Sequence, residues 1–276
     1  MRLEEAQTNC ADAVRRHDPD RYLAGLFVPA DTRPLIFALY AFNCEIARLG
    51  ERSREPMLAA VRLQWWRETV EEAAEGRARA HPVAISLADL FARFSLSMEL
   101  FAGMLDAREF DIGQETFADL GALETYCEAT SASLMQIAAQ ALGVRADDYL
   151  RHAGIAYALA GLLRSVPFHA ARRKLYMPLD FLTAEALDPE AVYSGSNGEA
   201  LARVQRRLAA RAREHLALAN AIRAPRGARI IALPAALVRP QSRLLTRCAN
   251  PFRQPLEVPV YRRQLALLRA TISGRL

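Results

Sequence analysis

Hydrophobic residues along this chain recur mostly at spacings of three and four positions, and strand-like alternation is scarce. Because an α-helix turns once in about 3.6 residues, this spacing predicts amphipathic and buried helices. Capping residues such as Asp31, a proline near a helix start such as Pro34, and a terminating glycine such as Gly76 divide the pattern into segments. The pattern therefore predicts an all-α protein.

The longest predicted helices organise the chain, and no repeat, linker or low-complexity segment interrupts them. They run from Pro34 to about Arg52, Thr116 to Leu142, Asp147 to about Ala171 and Glu199 to about Ile222, with a last helix after Pro259. Residues 188–198 are predicted to be a surface loop. We expect residues 1–276 to form a single domain.

The stretch from Gly154 to Leu182 combines a helix that is apolar all round with a polar and basic end. Such a helix belongs in a protein interior, so polar groups at its end would line a cavity or its mouth. A core helix with a basic, solvated end is the alternative interpretation. Residues 129–133, on the preceding helix, are all small, which predicts either close helix packing or room for a ligand.

The composition indicates a sizeable core and a reducing compartment. Hydrophobic residues make up 52% of the chain, and its four cysteines are scattered without a CxxC pair. This pattern argues against a structural zinc site or a disulfide scaffold. The N-terminal segment is acidic and does not resemble a signal peptide, so we expect a cytoplasmic protein.

The basic charge is concentrated near the C-terminus. Lys174 is the only lysine beside 35 arginines, a bias typical of a GC-rich bacterial genome, so the arginine count does not indicate nucleic-acid binding. Residues 222–276 carry eleven arginines and a single acidic residue, Glu257, whereas the whole chain has a net charge of +5. This asymmetry predicts contact with an anionic surface, either the inner face of the cytoplasmic membrane or an acidic partner. A solvated helical surface is the alternative.

Several separated motifs resemble those of the squalene/phytoene synthase family over nearly the whole chain. In chain order they are Tyr40-Ala41-Phe42, Trp66-Arg67, Tyr126-Cys127, Leu163-Arg164, and then Arg172, Tyr176 and Pro178. The resemblance implies an isoprenoid-synthase-type helical bundle around a central cavity. In such proteins, carboxylates at i and i+4 on facing helices hold magnesium ions that bind a prenyl diphosphate.

The departures from the family pattern concern those carboxylates. The first motif's acidic positions fall on Ala47, Arg48 and Glu51, and the second motif's metal-binding aspartates fall on Ser165 and His169. Glu51 alone cannot build a magnesium cluster, and Arg48 would repel one. The resemblance is strongest to a branch that contains a mitochondrial assembly factor of respiratory complex I. It implies a non-catalytic protein that assists complex I assembly, with complex I subunits as partners.

The resemblance also implies a candidate cavity and anionic head-group site for a lipid or prenyl-diphosphate ligand, with no catalytic residue and no cofactor. Its residues are Tyr40, Arg48, Glu51, Arg67, Arg164, Ser165, His169, Arg172, Arg173, Lys174 and Tyr176. The alternative function is a prenyltransferase that condenses isoprenoid diphosphates with magnesium, and a third is a lipid carrier without an assembly role. Asp106, Glu109 and Asp111 are interpreted as a solvated surface, because their spacing does not converge on one helix face.

Overall fold

A computed structural model describes residues 1–52, 55–113, 115–254 and 256–276, and the side chains of residues 51 and 52 lie outside the described part. Every regular element in these ranges is helical, which confirms the predicted all-α class. The first helices are α1 (Leu3–His17), α2 (Pro19–Gly25), α3 (Arg33–Ala47), α4 (Leu49–Arg52), α5 (Pro56–Ala74), α6 (Pro82–Arg93), α7 (Met98–Ala107) and α8 (Glu109–Ile112).

The second half of the chain is helical as well. It contains α9 (Leu120–Cys127), a π-helical segment (Glu128–Ala132), α10 (Ser133–Gln140), α11 (Asp147–Arg164), α12 (Val166–Ala170), α13 (Leu179–Thr183) and α14 (Pro189–Tyr193). It ends with α15 (Gly198–Ala221), α16 (Arg226–Ile231), a 3₁₀ segment (Leu233–Leu237), α17 (Val238–Arg247) and α18 (Val260–Ser273). Within the described ranges, none of these helices has the length and apolar character needed to cross a bilayer.

The chain divides into two compact units, which are described separately here. Unit 1 comprises residues 1–113, 133–147 and 224–234, and unit 2 comprises residues 114–132, 148–223 and 235–276. The expectation that residues 1–276 form one domain stays a prediction.

The core of unit 1 is built around α3, which packs against α1 and α6. Its side chains from Leu35 to Cys44 are all buried, as expected for a helix that is apolar on every side. The ring of Phe42 lies 5.5 Å from that of Trp66 and 5.7 Å from that of Phe101, so aromatic contacts join α3 to α5 and α7.

The prediction of one continuous helix from Pro34 to about Arg52 is wrong in one respect, because the helix is interrupted at Arg48. The break separates α3 from the short helix α4. A Cβ atom built on Gly50 would lie 2.4 Å from the backbone oxygen of Asp111, at the end of α8. Because glycine has no Cβ atom, the backbone at Gly50 can lie this close to the backbone of Asp111, whereas a larger residue would collide with it.

The core of unit 2 is built around α11, which buries most of its residues from Tyr149 to Leu163. The helix passes very close to the π-helical segment, since a Cβ atom on Gly154 would lie 2.4 Å from the Cα atom of Ala132. This contact shows that small residues serve close packing here, the first of the two alternatives for residues 129–133.

A second correction concerns residues 188–198, which were predicted to be a loop. They contain α14, whose first turn is capped by Asp188: its Oδ1 atom accepts a hydrogen bond from the backbone N–H of Ala191 at 2.7 Å. Aspartate followed by proline is a helix-initiating signal, so the sequence did contain the necessary information.

The glycine contact in unit 2 can be tested by two alanine substitutions on the same helix. Gly154→Ala should lower the free energy of unfolding by roughly 1–3 kcal/mol, because the added methyl group would overlap the backbone at Ala132. Gly161→Ala is the matched control, since nothing lies within 4 Å of its added Cβ atom. It should raise stability by roughly 0.5–1 kcal/mol through helix propensity. Urea denaturation measures both, and equal effects would contradict the packing argument.

Candidate functional site

The polar end of the central stretch is shaped by a proline. The predicted helix from Asp147 to about Ala171 ends instead at Arg164, and the chain turns at Ser165 before the short helix α12. Pro167 has no backbone N–H, so it cannot donate the hydrogen bond that a continuous helix would direct to the carbonyl of Leu163. The helix therefore breaks at Ser165, the first of the two positions where the family pattern expects metal ligands, and His169 follows one turn later in α12.

Gln205, on α15, satisfies the carbonyl group that Pro167 leaves open. Its Nε2 atom donates a hydrogen bond to the Leu163 oxygen at 2.9 Å, and its side chain is completely buried. A buried carbonyl without a partner costs about 1–3 kcal/mol, so this hydrogen bond stabilises the break. Gln205 was not singled out in the sequence, because it lies 42 positions from Leu163.

The short helix α12 ends in a turn that positions the basic residues. The N–H of Arg173 donates to the carbonyl of Ala170 at 2.9 Å, and the N–H of Lys174 donates to that of His169 at 3.0 Å. Arg173 has a φ of 54°, the left-handed conformation that this type of helix end requires. Glycine usually occupies such a position, so a non-glycine residue here carries backbone strain.

His169, Lys174 and Tyr176 line a small apolar pocket inside unit 2, together with side chains such as Leu163 and Met177. The ring of His169 lies 4.6 Å from that of Tyr176, and the Lys174 ammonium lies 5.9 Å from the same tyrosine ring. The pocket volume is about 20 Å³. This is room for about one water molecule and is too small for a prenyl chain.

The remaining predicted basic residues of unit 2 take different positions. The guanidinium group of Arg172 stacks on the Phe168 ring at 3.7 Å. Arg173 forms an ion pair with Glu190 on α14, and its guanidinium lies 4.7 Å from the ring centre of Tyr193. Arg164 is half-buried in the last turn of α11. The structure therefore directs Arg173 to an acidic partner rather than to a rim shared with Lys174.

In unit 1, Tyr40 is buried on α3. The guanidinium of Arg21 lies 5.9 Å from its ring centre, and Arg21 itself forms a 2.7 Å ion pair with Asp18. Burial raises the pKa of Tyr40 to about 12 and outweighs the lowering effect of Arg21. Tyr40 is therefore a neutral phenol at physiological pH.

The other predicted residues of unit 1 lie on α4, α5 and the end of α3. Arg67 forms ion pairs with Asp106 and, at 2.8 Å, with Glu109. Asp106 and Glu109 are mostly exposed, in agreement with a solvated surface. Asp111 is instead buried and forms a 2.8 Å ion pair with Arg108, so the interpretation is wrong for this residue. Arg48 is half-buried at the end of α3, and the side chain of Glu51 lies outside the described residues.

The residues that line the pocket with His169 do not fit magnesium, the ion that the family pattern implies. Magnesium takes oxygen ligands, mainly carboxylates and water, in octahedral geometry. The described neighbours of His169 in its pocket are the ammonium of Lys174, the phenol of Tyr176 and aliphatic side chains. In the part of the chain that the structure describes, no group of three His, Cys, Asp or Glu side chains is arranged to hold a metal ion.

Unit 2 also contains a polar cluster that sequence reasoning missed. The Nε2 atom of His215 lies 3.1 Å from Oε1 of Glu124, and its Nδ1 atom lies 3.0 Å from Nδ1 of His152. Arg211 forms an ion pair with the same glutamate at 2.5 Å. Glutamate accepts from Nε2–H of His215, so Nδ1 of neutral His215 is the acceptor and His152 donates from Nδ1–H.

Burial determines the protonation of this cluster. It lowers the pKa of His215 despite the opposing effect of Glu124, and it lowers the pKa of His152, assisted by the charge of His215. Burial alone would raise the pKa of Glu124, but hydrogen bonds from Arg211 and His215 outweigh it, so this pKa is lowered. The folded cluster therefore favours two neutral histidines beside an ionised glutamate. These residues are up to 91 positions apart, so no local sequence signal could have indicated the cluster.

Known proteins show clear similarity to this chain. Residues 14–264 match the squalene/phytoene synthase family. The human protein "NADH dehydrogenase (ubiquinone) complex I, assembly factor 6" is 32% identical over 184 residues, which cover 66% of this chain and 55% of that protein. "Phytoene synthase 1, chloroplastic" of Arabidopsis thaliana is 23% identical over 202 residues, or 70% of this chain and 48% of that protein. The chain thus spans about half the length of the curated relatives it matches.

The fold is shared with a solved dehydrosqualene synthase. The crystal structure of that enzyme in complex with a ligand matches with a TM-score of 0.83 at 17% identity and covers 99% of this chain and 97% of the other. This match confirms the predicted isoprenoid-synthase-type fold.

The role of Gln205 can be tested with a double-mutant cycle. Gln205→Leu should lower the free energy of unfolding by about 1–3 kcal/mol, because the carbonyl of Leu163 loses its donor. Pro167→Ala restores a backbone N–H, so Gln205→Leu should cost less in that background. Urea denaturation of the four proteins measures the coupling. Additive effects would show that the two residues do not serve the same carbonyl.

The histidine cluster predicts a loss of stability in acid. The unfolded chain binds protons at the ordinary histidine pKa of about 6.5, above the folded values. Stability is therefore fully present above that pH and falls as the pH decreases toward the folded pKa values; the lowered pKa of Glu124 acts in the same direction at lower pH. His215→Gln keeps a donor for Glu124 and an acceptor for His152 but does not titrate. Urea midpoints at about pH 7.5 and 5.5 should differ less in this variant than in the unmodified protein. An equal difference would contradict the assignment.

Proposed function

Because the chain belongs to the squalene/phytoene synthase family, we propose that it is a non-catalytic member that assists the assembly of respiratory complex I. Its family and fold are those of prenyltransferases. The proposal is that the scaffold has been kept while the metal-dependent chemistry has been lost.

The surroundings of His169 carry this proposal. At the position of a metal-binding aspartate, the imidazole lies 4.6 Å from the tilted ring of Tyr176 and shares a pocket of about 20 Å³ with Lys174 and aliphatic side chains. An ammonium group beside this position opposes the binding of a divalent cation. Ser165 directly precedes α12, and its carbonyl oxygen accepts a hydrogen bond from the N–H of His169 at 2.9 Å. A hydroxyl group and an imidazole therefore take the places of two carboxylates one helical turn apart. Prenyl condensation requires oxygen-bound metal ions at these positions, so this arrangement supports loss of the reaction.

The similar proteins support the same proposal from another direction. The relative that is 32% identical is named as an assembly factor of complex I, whereas the phytoene synthase is 23% identical. Since this chain spans about half of each relative, complex I subunits as partners are part of the proposal. A location on the inner face of the cytoplasmic membrane, where complex I would be assembled in a bacterium, also belongs to it. A lipid or prenyl ligand stays a prediction, and the pocket beside His169 is too small to hold one.

A deletion and complementation experiment tests the assembly role. Deleting the gene in its native host should lower assembled complex I several-fold on blue-native gels, with a matching loss of NADH oxidation by membranes. A plasmid copy should restore both. Glu51→Gln removes the remaining acidic residue of the first motif, and it should restore complex I equally well if no metal chemistry is needed. Normal complex I in the deletion strain would overturn the proposal.

The prenyltransferase alternative is tested on the purified protein. Incubation with farnesyl or geranylgeranyl diphosphate and magnesium should give no condensation product and no magnesium-dependent binding. A product that disappears in Glu51→Gln, together with failure of that variant to restore complex I, would establish an enzyme instead.

A further inference from the structure

The two C-terminal helices of unit 2, α17 and α18, enclose a groove with a strongly basic lining. Arg239, Arg243 and Arg247 follow one another at intervals of four residues, so they occupy one exposed face of α17. Arg262 and Arg269 lie seven residues apart on α18 and line the opposite wall. The groove has a volume of about 830 Å³, within the range of roughly 300–1,000 Å³ that is typical of ligand sites. We call it the arginine groove.

Among the described residues, no acidic side chain balances this charge. Arginines elsewhere in unit 2 are paired, for example Arg203 with Glu185 at 2.7 Å and Arg151 with Glu128 at 2.7 Å. Over the described ranges, neither an aspartate nor a glutamate lines the arginine groove or forms a salt bridge with its arginines. These arginines are Arg239, Arg243, Arg247, Arg262, Arg269 and Arg275. Like charges gathered without a counter-charge repel one another, so an anion bound here would relieve that repulsion.

Helix α18 adds an exposed apolar surface next to the groove. Tyr261, Leu265, Leu268 and Ile272 follow at spacings of four, three and four, so they lie on one helix face. Their exposed fractions are 57, 46, 47 and 78%, respectively. The opposite face is packed against unit 2 through residues such as Leu267. We call these four side chains the apolar stripe.

Hydrogen bonds also join Leu276, which follows α18, to helix α15. Asn220, in the last turn of α15, accepts a hydrogen bond from the N–H of Leu276 at 2.8 Å and donates one to its carbonyl at 3.1 Å. Helix α18 therefore presents the apolar stripe from an anchored position, with arginines along one flank.

From this arrangement, we propose that the arginine groove and the apolar stripe form a docking surface for a membrane of anionic phospholipids. Lipid phosphate groups bind in the groove, and the apolar stripe enters the boundary between head groups and acyl chains. Helices that lie in this interface combine an apolar face with adjacent arginine or lysine residues. The proposal does not depend on a role in complex I assembly.

The position of the apolar residues favours a lipid surface over a protein partner. Tyr261 and Leu265 of the apolar stripe line the arginine groove, and the stripe continues onto the exposed side chains of Leu268 and Ile272. Arginines next to exposed apolar side chains match a lipid surface, which offers phosphate groups and acyl chains at the same boundary. A second copy of this chain docked symmetrically would bring two identical arginine rows together, which repulsion disfavours.

Vesicle sedimentation of the whole protein tests the proposal. The protein should bind phosphatidylcholine vesicles that contain roughly 30% phosphatidylglycerol, bind pure phosphatidylcholine vesicles far less, and dissociate as salt rises. The triple variant Arg243→Gln, Arg262→Gln and Arg269→Gln should bind about a hundredfold more weakly, since three cations leave the anionic surface. Removing unbalanced like charges should not destabilise the fold, which thermal unfolding checks.

Two further variants complete the test. Arg15→Gln, Arg62→Gln and Arg226→Gln together remove the same charge from exposed arginines on unit 1, and this control should bind anionic vesicles nearly normally. Leu265→Ser, Leu268→Ser and Ile272→Ser together should weaken vesicle binding at least tenfold, because the stripe no longer enters the lipid boundary. Equal loss in the control would overturn the proposal, as would absence of vesicle binding. Unchanged binding in the stripe variant would also overturn it, because the arginines alone would then account for vesicle binding.

Discussion

The missing N–H of Pro167 is the constraint on which the predicted site in unit 2 depends. It ends α11 at Arg164, and the carbonyl of Leu163 is satisfied by the buried side chain of Gln205 instead. The turn that follows places His169 against the ring of Tyr176. The N–H of His169 still donates to the carbonyl of Ser165 at 2.9 Å, so the two positions remain one helical turn apart. The metal-binding pair is therefore missing because these residues are not carboxylates, and not because the helix breaks.

The basic residues that follow this break do not form the shared rim that their order along the chain suggests. Arg172 stacks on Phe168, and Arg173 pairs with Glu190, while Lys174 lines the small pocket. Arg172 and Arg173 are both exposed, so their cation–π contact and ion pair lie at the surface of unit 2. The three basic side chains of this segment thus make three different contacts.

The arginines of unit 2 therefore form two populations with different physical roles. The first population forms ion pairs with glutamates and includes Arg151, Arg203 and Arg211. Those of the arginine groove have no such partner in the described chain. Because arginine is the basic residue at nearly every such position of the chain, total arginine content cannot distinguish the two groups. The distinction depends on where the acidic residues lie in three dimensions.

The all-α class, the family resemblance and the absence of carboxylates at Ser165 and His169 could be predicted from the sequence. These conclusions depend on residue type and on spacing within one helix, which periodicity reports directly. The folded structure was needed to find the residues that satisfy groups far away in the chain: Gln205 for the carbonyl of Leu163, and Glu124 for His215. It was also needed to show that Gly154 serves close packing against Ala132. These hydrogen bonds and contacts join segments brought together by folding, and no periodicity within a single helix encodes them.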